Sequence, residues 1–256
     1  MVFGFRFCIP TWKMKVKVCF VIDATGSMAG WIAAAKSQTK QIVDKIKEAT
    51  PGVELEISAV FYRDFGDKVQ HVVVPFTADV TQYLASIAGV EAYGGDDTCE
   101  DIAGGIEKML ELDWTGADVR NAFLICDAPP HGREWHSVLD GDRFPNNDYN
   151  LTQLLLDTKA ANIKLAVIRV NPVINPMIEK MSTIYTDLVV LDMVIQADPP
   201  LPFVPPIAGG LPDPRTLREH SIDYSPGDPV GHERLTLSRH ISRTVTQSIA
   251  DSQYPC

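Results

Sequence analysis

From Val16 to about Met193, continuous apolar runs alternate along the chain with segments in which apolar residues have helical spacing. Six short runs are almost continuously apolar, as in strands buried on both faces of a sheet. These runs are Val16–Ile22, Leu55–Arg63, Gln70–Phe76, Arg120–Cys126, Lys164–Val170 and Leu188–Asp192. Segments with helical spacing separate them, at Met28–Ala49, Val80–Ile87, Glu100–Leu112, Asn150–Ala161 and Pro176–Ile184. The alternation predicts an α/β fold with a doubly wound, mostly parallel central sheet and helices on both faces.

One strand is expected to run against the others. Only a short turn around Phe65-Gly66-Asp67 separates the run that ends at Arg63 from the run that starts at Gln70. A connection of this length suits a hairpin, whereas parallel neighbours need a long crossover. The sequence therefore predicts one antiparallel strand at an edge of the sheet.

The composition changes after Ala197, and this change sets the predicted domain limits. Ten of the eighteen prolines lie beyond this residue, which excludes helix and central strand for much of the segment. We expect an N-terminal extension over residues 1–15, one α/β domain over 16–197, and a proline-rich, flexible C-terminal tail over 198–256. Truncation at Ala197 should then leave a folded domain. The alternative is that a helical stripe in the tail docks on the domain, through Leu237, Ile241, Val245 and Ile249.

Charge and cysteine content exclude several classes of protein. A net charge of −10 argues against binding of nucleic acid or anionic lipid. No apolar run reaches the ~18 residues that insertion into a membrane requires. The five cysteines are odd in number and form no C-x-x-C pair, so their spacing signals neither a disulfide framework nor a zinc site. These features are typical of a reduced, cytoplasmic protein.

Oxygen-bearing side chains are concentrated in three loops that follow strands or precede helices. The first holds Asp23, Thr25 and Ser27 in a D-x-T-x-S pattern, the second spans residues 94–101, and the third, residues 126–132, contains Asp127. In open α/β sheets, binding sites form at the carboxyl ends of the strands. Carboxylate and hydroxyl oxygens gathered there suit Mg²⁺ or Mn²⁺.

Each of these residues also has an ordinary structural interpretation. Ser27 is a favoured helix N-cap, and Asp23 and Asp127 are carboxylates that helix N-termini stabilise. The acidic residues of the second loop suit a solvated surface, and His131 suits an ordinary hydrogen-bonded loop position. The set as a whole favours a cation, because clustered carboxylates without a charge partner repel one another.

Two of the loops resemble motifs of a known family. The segment VCFVIDATGSM resembles the first motif of von Willebrand factor A domains, and FLICDAPPHG resembles the third. The resemblance implies a metal ion-dependent adhesion site with Asp23, Thr25 and Ser27 in the first loop and Asp127 in the last.

The middle loop, GGDDTCEDIAGGI, is similar instead to the A-like domains of integrin β chains, in which a D-x-P-E segment supplies a glutamate. Counting back from Ile106 places Glu100 in that position, at the start of its helix. The commoner family pattern uses a threonine, which leaves Thr98 as the alternative. The same resemblance would give Asp97 to a second, adjacent cation.

Between Val16 and Asp192 the chain combines the motifs FVIDATGSM, FYRDFGD, GGDD-x-x-ED-x-AGGIEKMLELDW and DAPPHG. This combination most closely resembles the A domain found beside atypical α-kinases. The tail contains no glycine-rich nucleotide loop or kinase metal motif, so kinase activity is not expected. The resemblance implies a non-enzymatic protein-binding domain whose cation captures an Asp or Glu carboxylate of a partner.

Two other functions remain open from the sequence. Asp-Ala-Thr-Gly-Ser is also similar to the phosphorylation motif of P-type pumps and haloacid dehalogenases, in which Asp23 would be the nucleophile of a Mg²⁺-dependent hydrolase. Against this interpretation, Ala24 replaces the usual lysine, and no later G-D-G-x-x-D motif follows. The third possibility is a scaffold whose metal site stays empty in the cell.

Overall fold

Six strands and six helices make up residues 13–137, 141–145, 150–192 and 237–253, which a computed structural model describes. The strands are β1 (Lys15–Asp23), β2 (Glu54–Tyr62), β3 (His71–Thr77), β4 (Val119–Cys126), β5 (Lys164–Arg169) and β6 (Val189–Asp192). The helices are α1 (Ala29–Ala49), α2 (Val80–Ile87), α3 (Ile102–Leu110), α4 (Leu151–Ala160), α5 (Asn175–Ile184) and α6 (Leu237–Gln253). Single turns of 3₁₀ helix precede α1 and α5.

The strands form one mixed sheet in the order β3-β2-β1-β4-β5-β6. All neighbours are parallel except β2 and β3, which pair antiparallel at the edge. The predicted fold class is therefore confirmed, including the antiparallel edge strand. The chain order reverses on the two sides of β1, so a crevice opens between the loops that leave β1 and β4.

Both faces of the sheet are covered by helices, which explains why β1 is continuously apolar. Successive side chains of a strand point to opposite faces. Val16, Val18, Phe20 and Ile22 belong to the core beneath α1, α2 and α6. Cys19 and Val21 belong to the other core, beneath α3, α4 and α5.

Gly105 allows α3 to pack directly against the sheet. A Cβ atom at Gly105 would lie 2.7 Å from the Tyr62 ring and 3.2 Å from a Val21 methyl group. A side chain at this position would push the helix away from β1 and β2. The absence of a side chain fixes α3, and with it the loop before α3, against the ends of these two strands.

Helix α6, which belongs to the predicted tail, packs into the core of the domain. Leu237, Ile241, Val245 and Ile249 are at most 3% exposed and lie in the same core as α1. The Ser248 hydroxyl also donates to Asn121 Oδ1 of β4 at 2.8 Å. The structure thus has the docked helix that was the alternative, and the expectation of a flexible tail is wrong for Leu237–Gln253. Most of the predicted N-terminal extension and residues 198–236 and 254–256 of the tail lie outside the described residues.

None of the helices in the described ranges combines the length and apolar character that crossing a membrane requires.

Candidate metal centre

The three acidic loops meet at the end of the sheet where the carboxyl ends of the parallel strands lie. β1 ends at Asp23 and β4 ends at Cys126, so the first and third loops leave adjacent parallel strands. The middle loop joins them through a bridge between Glu100 and Pro130, in which the Glu100 amide donates to the Pro129 carbonyl at 3.0 Å. The fold therefore brings together side chains that are up to about a hundred residues apart in the chain.

In the first loop, the Asp23 side chain is fully buried and forms a local turn with Thr25. Its Oδ1 accepts hydrogen bonds from the Thr25 amide at 2.8 Å and the Thr25 hydroxyl at 2.7 Å. Its Oδ2 is buried and has no hydrogen-bond partner among the described residues. Ser27 lies in the 3₁₀ turn Gly26–Met28, is exposed, and makes no capping hydrogen bond, so its interpretation as an N-cap is not supported.

In the middle loop, Glu100 and not Thr98 lies beside the first loop. A Cβ atom at Gly95 would lie 2.6 Å from Glu100 Oε1 and 3.0 Å from Thr25 Cβ, so both residues pack against the same glycine. Gly94 and Gly95 have φ angles of +82° and +78°, a conformation that side-chain-bearing residues rarely adopt. Thr98 is exposed, and its amide donates to the Gly141 carbonyl at 2.9 Å.

The start of α3 differs from the prediction by two residues. Glu100 precedes the helix, and Asp101 is the N-cap, with Oδ1 accepting from the Gly104 amide at 2.7 Å. Asp101 Oδ2 lies 2.9 Å from His71 Nε2 and accepts from Gln70 Nε2 at 2.6 Å. Aspartate is a preferred N-cap, and its capping bond directs Asp101 into the helix and away from the acidic loops. Glu100 is thereby left in the loop.

Asp127 completes the predicted set in the third loop. It is half-buried, and its Oδ1 is buried without a hydrogen-bond partner. The same holds for Oε2 of Glu100 and for Oδ2 of Asp23. Each of the three loops thus contributes one carboxylate oxygen that no donor in the described part of the chain satisfies.

The electrostatics of this edge disfavour ionised carboxylates. Burial raises the pKa of Asp23 to about 7, hydrogen bonds from Thr25 oppose the rise, and the charges of Asp127 and Asp64 add to it. Burial likewise raises the pKa of Glu100 to about 10, with further contributions from the charges of Asp23 and Asp64. A positive charge placed among these groups would reverse both shifts.

The donor set fits a hard divalent cation. Carboxylate and hydroxyl oxygens are the ligands that Mg²⁺ prefers, and such a cation would neutralise the buried carboxylate oxygens that have no donor among the described residues. Asp23, Thr25, Glu100 and Asp127 are held at the same edge, whereas Ser27 faces solvent. In the described residues, two groups have possible ligand atoms within 4.8 Å of one another, Cys99 with His136 and Asp142, and Asp64 with Asp97 and His131. Neither group includes Asp23, Glu100 or Asp127.

A second cluster of polar side chains adjoins this edge. His131 is buried, with Nε2 2.6 Å from Asp64 Oδ1 and Nδ1 2.8 Å from Asp142 Oδ1. Burial alone lowers the pKa of His131, but its hydrogen bonds to the two carboxylates outweigh this effect and raise it. His136 Nε2 also lies 3.0 Å from Asp142 Oδ2.

The sequence pointed to His131 as a loop residue but not to its partners. Asp142 and His136 were not among the candidate residues, and Asp64 follows β2 in a different part of the sequence. The only local signal was the placement of two histidines and an aspartate shortly after the third loop. This signal is weak, because Asp64 and Cys99 come near these three residues only in the folded protein.

The fold and the acidic loops agree with a known family. Residues 17–162 match the model of the von Willebrand factor A domain, which is more than half of the chain. The chain belongs to this family, as its motifs predicted.

The chain spans only a minor part of the curated relatives that it matches. It is 30% identical over 152 residues to the alpha-protein kinase vwkA of Dictyostelium discoideum, which covers 58% of this chain and 24% of the kinase. It is 29% identical over 141 residues to a putative ariadne-like RING finger protein of Acanthamoeba polyphaga mimivirus, which covers 50% of this chain and 13% of that protein. The predicted resemblance to an A domain of an α-kinase protein is confirmed.

Among solved structures, a von Willebrand factor type A protein from Catenulispora acidiphila aligns with a TM-score of 0.44 at 17% identity, over 72% of this chain and 39% of that chain. The family assignment gives no support to the phosphoaspartyl hydrolase with Asp23 as nucleophile.

Proposed function

We propose that this domain is a non-enzymatic protein-binding module that uses Mg²⁺ or Mn²⁺ to capture an Asp or Glu carboxylate of a partner protein. One observation carries the proposal. Three buried carboxylate oxygens have no hydrogen-bond partner in the described part of the chain, and one comes from each of the three loops at the carboxyl ends of the strands. They are Asp23 Oδ2, Glu100 Oε2 and Asp127 Oδ1. Membership of the von Willebrand factor A family supports the same assignment.

Each residue has a separate role in the proposal. Thr25 and Ser27 would hold the cation through their hydroxyl oxygens, and the exposure of Ser27 leaves this side open to a partner. Asp23, Glu100 and Asp127 would supply the negative charge. A bound cation supplies the positive charge that attracts the carboxylate of a partner. Since three carboxylates would outweigh a charge of +2, we expect at least one of them to act through water.

Calorimetric titration at pH 8 tests the metal site. We expect wild-type protein to bind one Mg²⁺ or Mn²⁺ at a principal site and Asp23→Ala to lose this event. Asp187→Ala is the matched control, because Asp187 is exposed and lies between α5 and β6. This position is at the amino ends of the parallel strands, opposite the acidic loops. Identical titrations of wild type and Asp23→Ala would disprove the assignment. Partner capture is then tested by a pull-down with and without EDTA.

The middle loop gives a second prediction. Glu100→Gln keeps the shape of the side chain but removes its charge, so we expect Mg²⁺ affinity to fall about tenfold or more. Thr98→Val removes only an exposed hydroxyl, so its affinity should stay within a factor of about two of wild type. Circular dichroism checks that both variants are folded. If Thr98→Val lost binding and Glu100→Gln kept it, the domain would use the threonine pattern instead.

A further inference from the structure

The end of β2 and the turn that follows it touch all three acidic loops, although they contribute none of the proposed metal ligands. This part of the chain has the sequence FYRDFGD. The Tyr62 carbonyl accepts a hydrogen bond from the Ala24 amide of the first loop at 2.7 Å. In the third loop, His131 Nε2 lies 2.6 Å from Asp64 Oδ1. The middle loop is contacted by the last residue of the motif, Asp67.

Asp67 is held in place by its own turn. Its amide donates to the Asp64 carbonyl at 3.3 Å, and its Oδ2 accepts from the Asp64 amide at 3.1 Å. Gly66, with a φ angle of +88°, allows the chain to close this turn. The same Oδ2 accepts from the Gly95 amide of the middle loop at 3.3 Å. The carboxylate is therefore oriented by its turn and links that turn to the middle loop.

The middle loop has room for this carboxylate only because it contains glycine. A Cβ atom at Gly94 would collide with both carboxylate oxygens of Asp67, so the carboxylate packs directly on the Gly94 backbone. The Gly94 carbonyl in turn accepts from the Gly26 amide of the first loop at 3.2 Å. Asp67 thus contacts a backbone segment that is bonded to the first loop as well.

The position of Gly95 sets the gap between two proposed metal ligands. A Cβ atom at Gly95 would lie 2.6 Å from Glu100 Oε1 and 3.0 Å from Thr25 Cβ, so both side chains rest on this backbone. Mg²⁺ requires a nearly ideal octahedron of ligands, and small displacements of the supporting groups weaken such a site. A residue that fixes Gly95 therefore affects the affinity for the metal without contacting it.

We propose that Asp67 is a positioning residue of the metal site, whose carboxylate oxygen holds Gly94 and Gly95 and thereby the gap between Thr25 and Glu100. The inference rests on the Mg²⁺ site of the proposed function and adds a residue that does not bind the metal. The property that Asp67 needs for this role is an acceptor oxygen at the place of Oδ2. Its negative charge is not needed.

Two substitutions separate the oxygen from the charge. Asp67→Asn and Asp67→Ala both remove the charge, but asparagine keeps a carbonyl oxygen that can accept from the Asp64 and Gly95 amides. In calorimetric titration of the full chain, we expect Asp67→Asn to bind Mg²⁺ within a factor of about three of wild type. Asp67→Ala should bind it about tenfold more weakly than Asp67→Asn. The exposed Asp187→Ala control should match wild type.

Hydrogen exchange in the metal-free chain tests the positioning without Mg²⁺. The Gly95 amide should be protected in wild type and in Asp67→Asn, because both offer it an acceptor. In Asp67→Ala it should exchange about tenfold faster or more. The Phe123 amide, in the middle of β4, should stay equally protected in all three chains, which shows that they are folded. If Asp67→Ala does not fold, Asp67→Ser, with its shorter side chain, replaces it.

The outcomes separate failure of this inference from failure of the proposed function. If wild type binds no Mg²⁺, the proposed function is wrong, and the role of Asp67 falls with it. If wild type binds Mg²⁺ and Asp67→Ala binds it as tightly, only the positioning role is overturned. Equal losses in Asp67→Asn and Asp67→Ala would also overturn it, because the charge of Asp67 or its direct binding to the metal would then explain the effect.

Discussion

A chain that ends at Ala197 is expected to lose much of its thermal stability, because it lacks α6. Burial of Leu237, Ile241, Val245 and Ile249 contributes about 1.5–3 kcal/mol for each side chain. Ordering the helix offsets part of this gain, but the remainder is large beside the ~5–15 kcal/mol of a typical domain. Truncation would also expose the apolar surface of α1 and β4 that α6 covers. Thermal unfolding of the two chains, followed by circular dichroism, measures the difference.

A point substitution makes the same test without removing the tail. Ile241 is fully buried, and Ile241→Ala should cost about 2–5 kcal/mol, which lowers the melting temperature by on the order of 10 °C. Arg243→Ala is the matched control, because Arg243 lies two residues further along and is exposed, so its effect should stay within about 0.5 kcal/mol. Equal melting temperatures for the full chain and the chain ending at Ala197 would show that α6 does not contribute to stability.

Replacing Asp23 by asparagine is expected to stabilise the metal-free domain at pH 8 while abolishing its stabilisation by Mg²⁺. In the folded protein the pKa of Asp23 is raised from 3.8 to about 7, mainly by burial. Between these two values the unfolded chain has lost the proton and the folded chain keeps it. The free energy of unfolding therefore falls as the pH rises through this range, by about 4 kcal/mol for a shift of about three units.

The pH dependence separates the effect of charge from other effects of the substitution. Without metal, wild type should lose stability between about pH 4 and pH 8, and Asp23→Asn should lose less. Saturating Mg²⁺ should restore wild type by ~2.7 kcal/mol at a hundred times its dissociation constant and leave Asp23→Asn unchanged. Asp187→Asn, at an exposed site, should behave like wild type throughout. A metal-free wild type whose stability does not depend on pH would contradict the raised pKa of Asp23.

Local patterns in the sequence were sufficient to predict the fold and the positions of the acidic loops. Strand and helix periodicity depend on neighbouring residues, so all six strands and five of the helices were predicted within a few residues of their bounds. The loops of Asp23 and Asp127 were predicted because each directly follows a buried strand. The position of Glu100 beside Thr25 agrees with the count back from Ile106, although the count placed it inside the helix.

The sequence by itself therefore determined the family, the doubly wound sheet and the edge at which the acidic loops meet. Only the tertiary structure decided three further features. Helix α6 docks because α1 and β4 present an apolar surface to it, and its own stripe does not reveal that surface. Asp101 turns away from Glu100 because it caps α3 and meets His71. Cys99, His136 and Asp142 meet because folding closes two loops over the same edge, and no local spacing encodes a contact between separate loops.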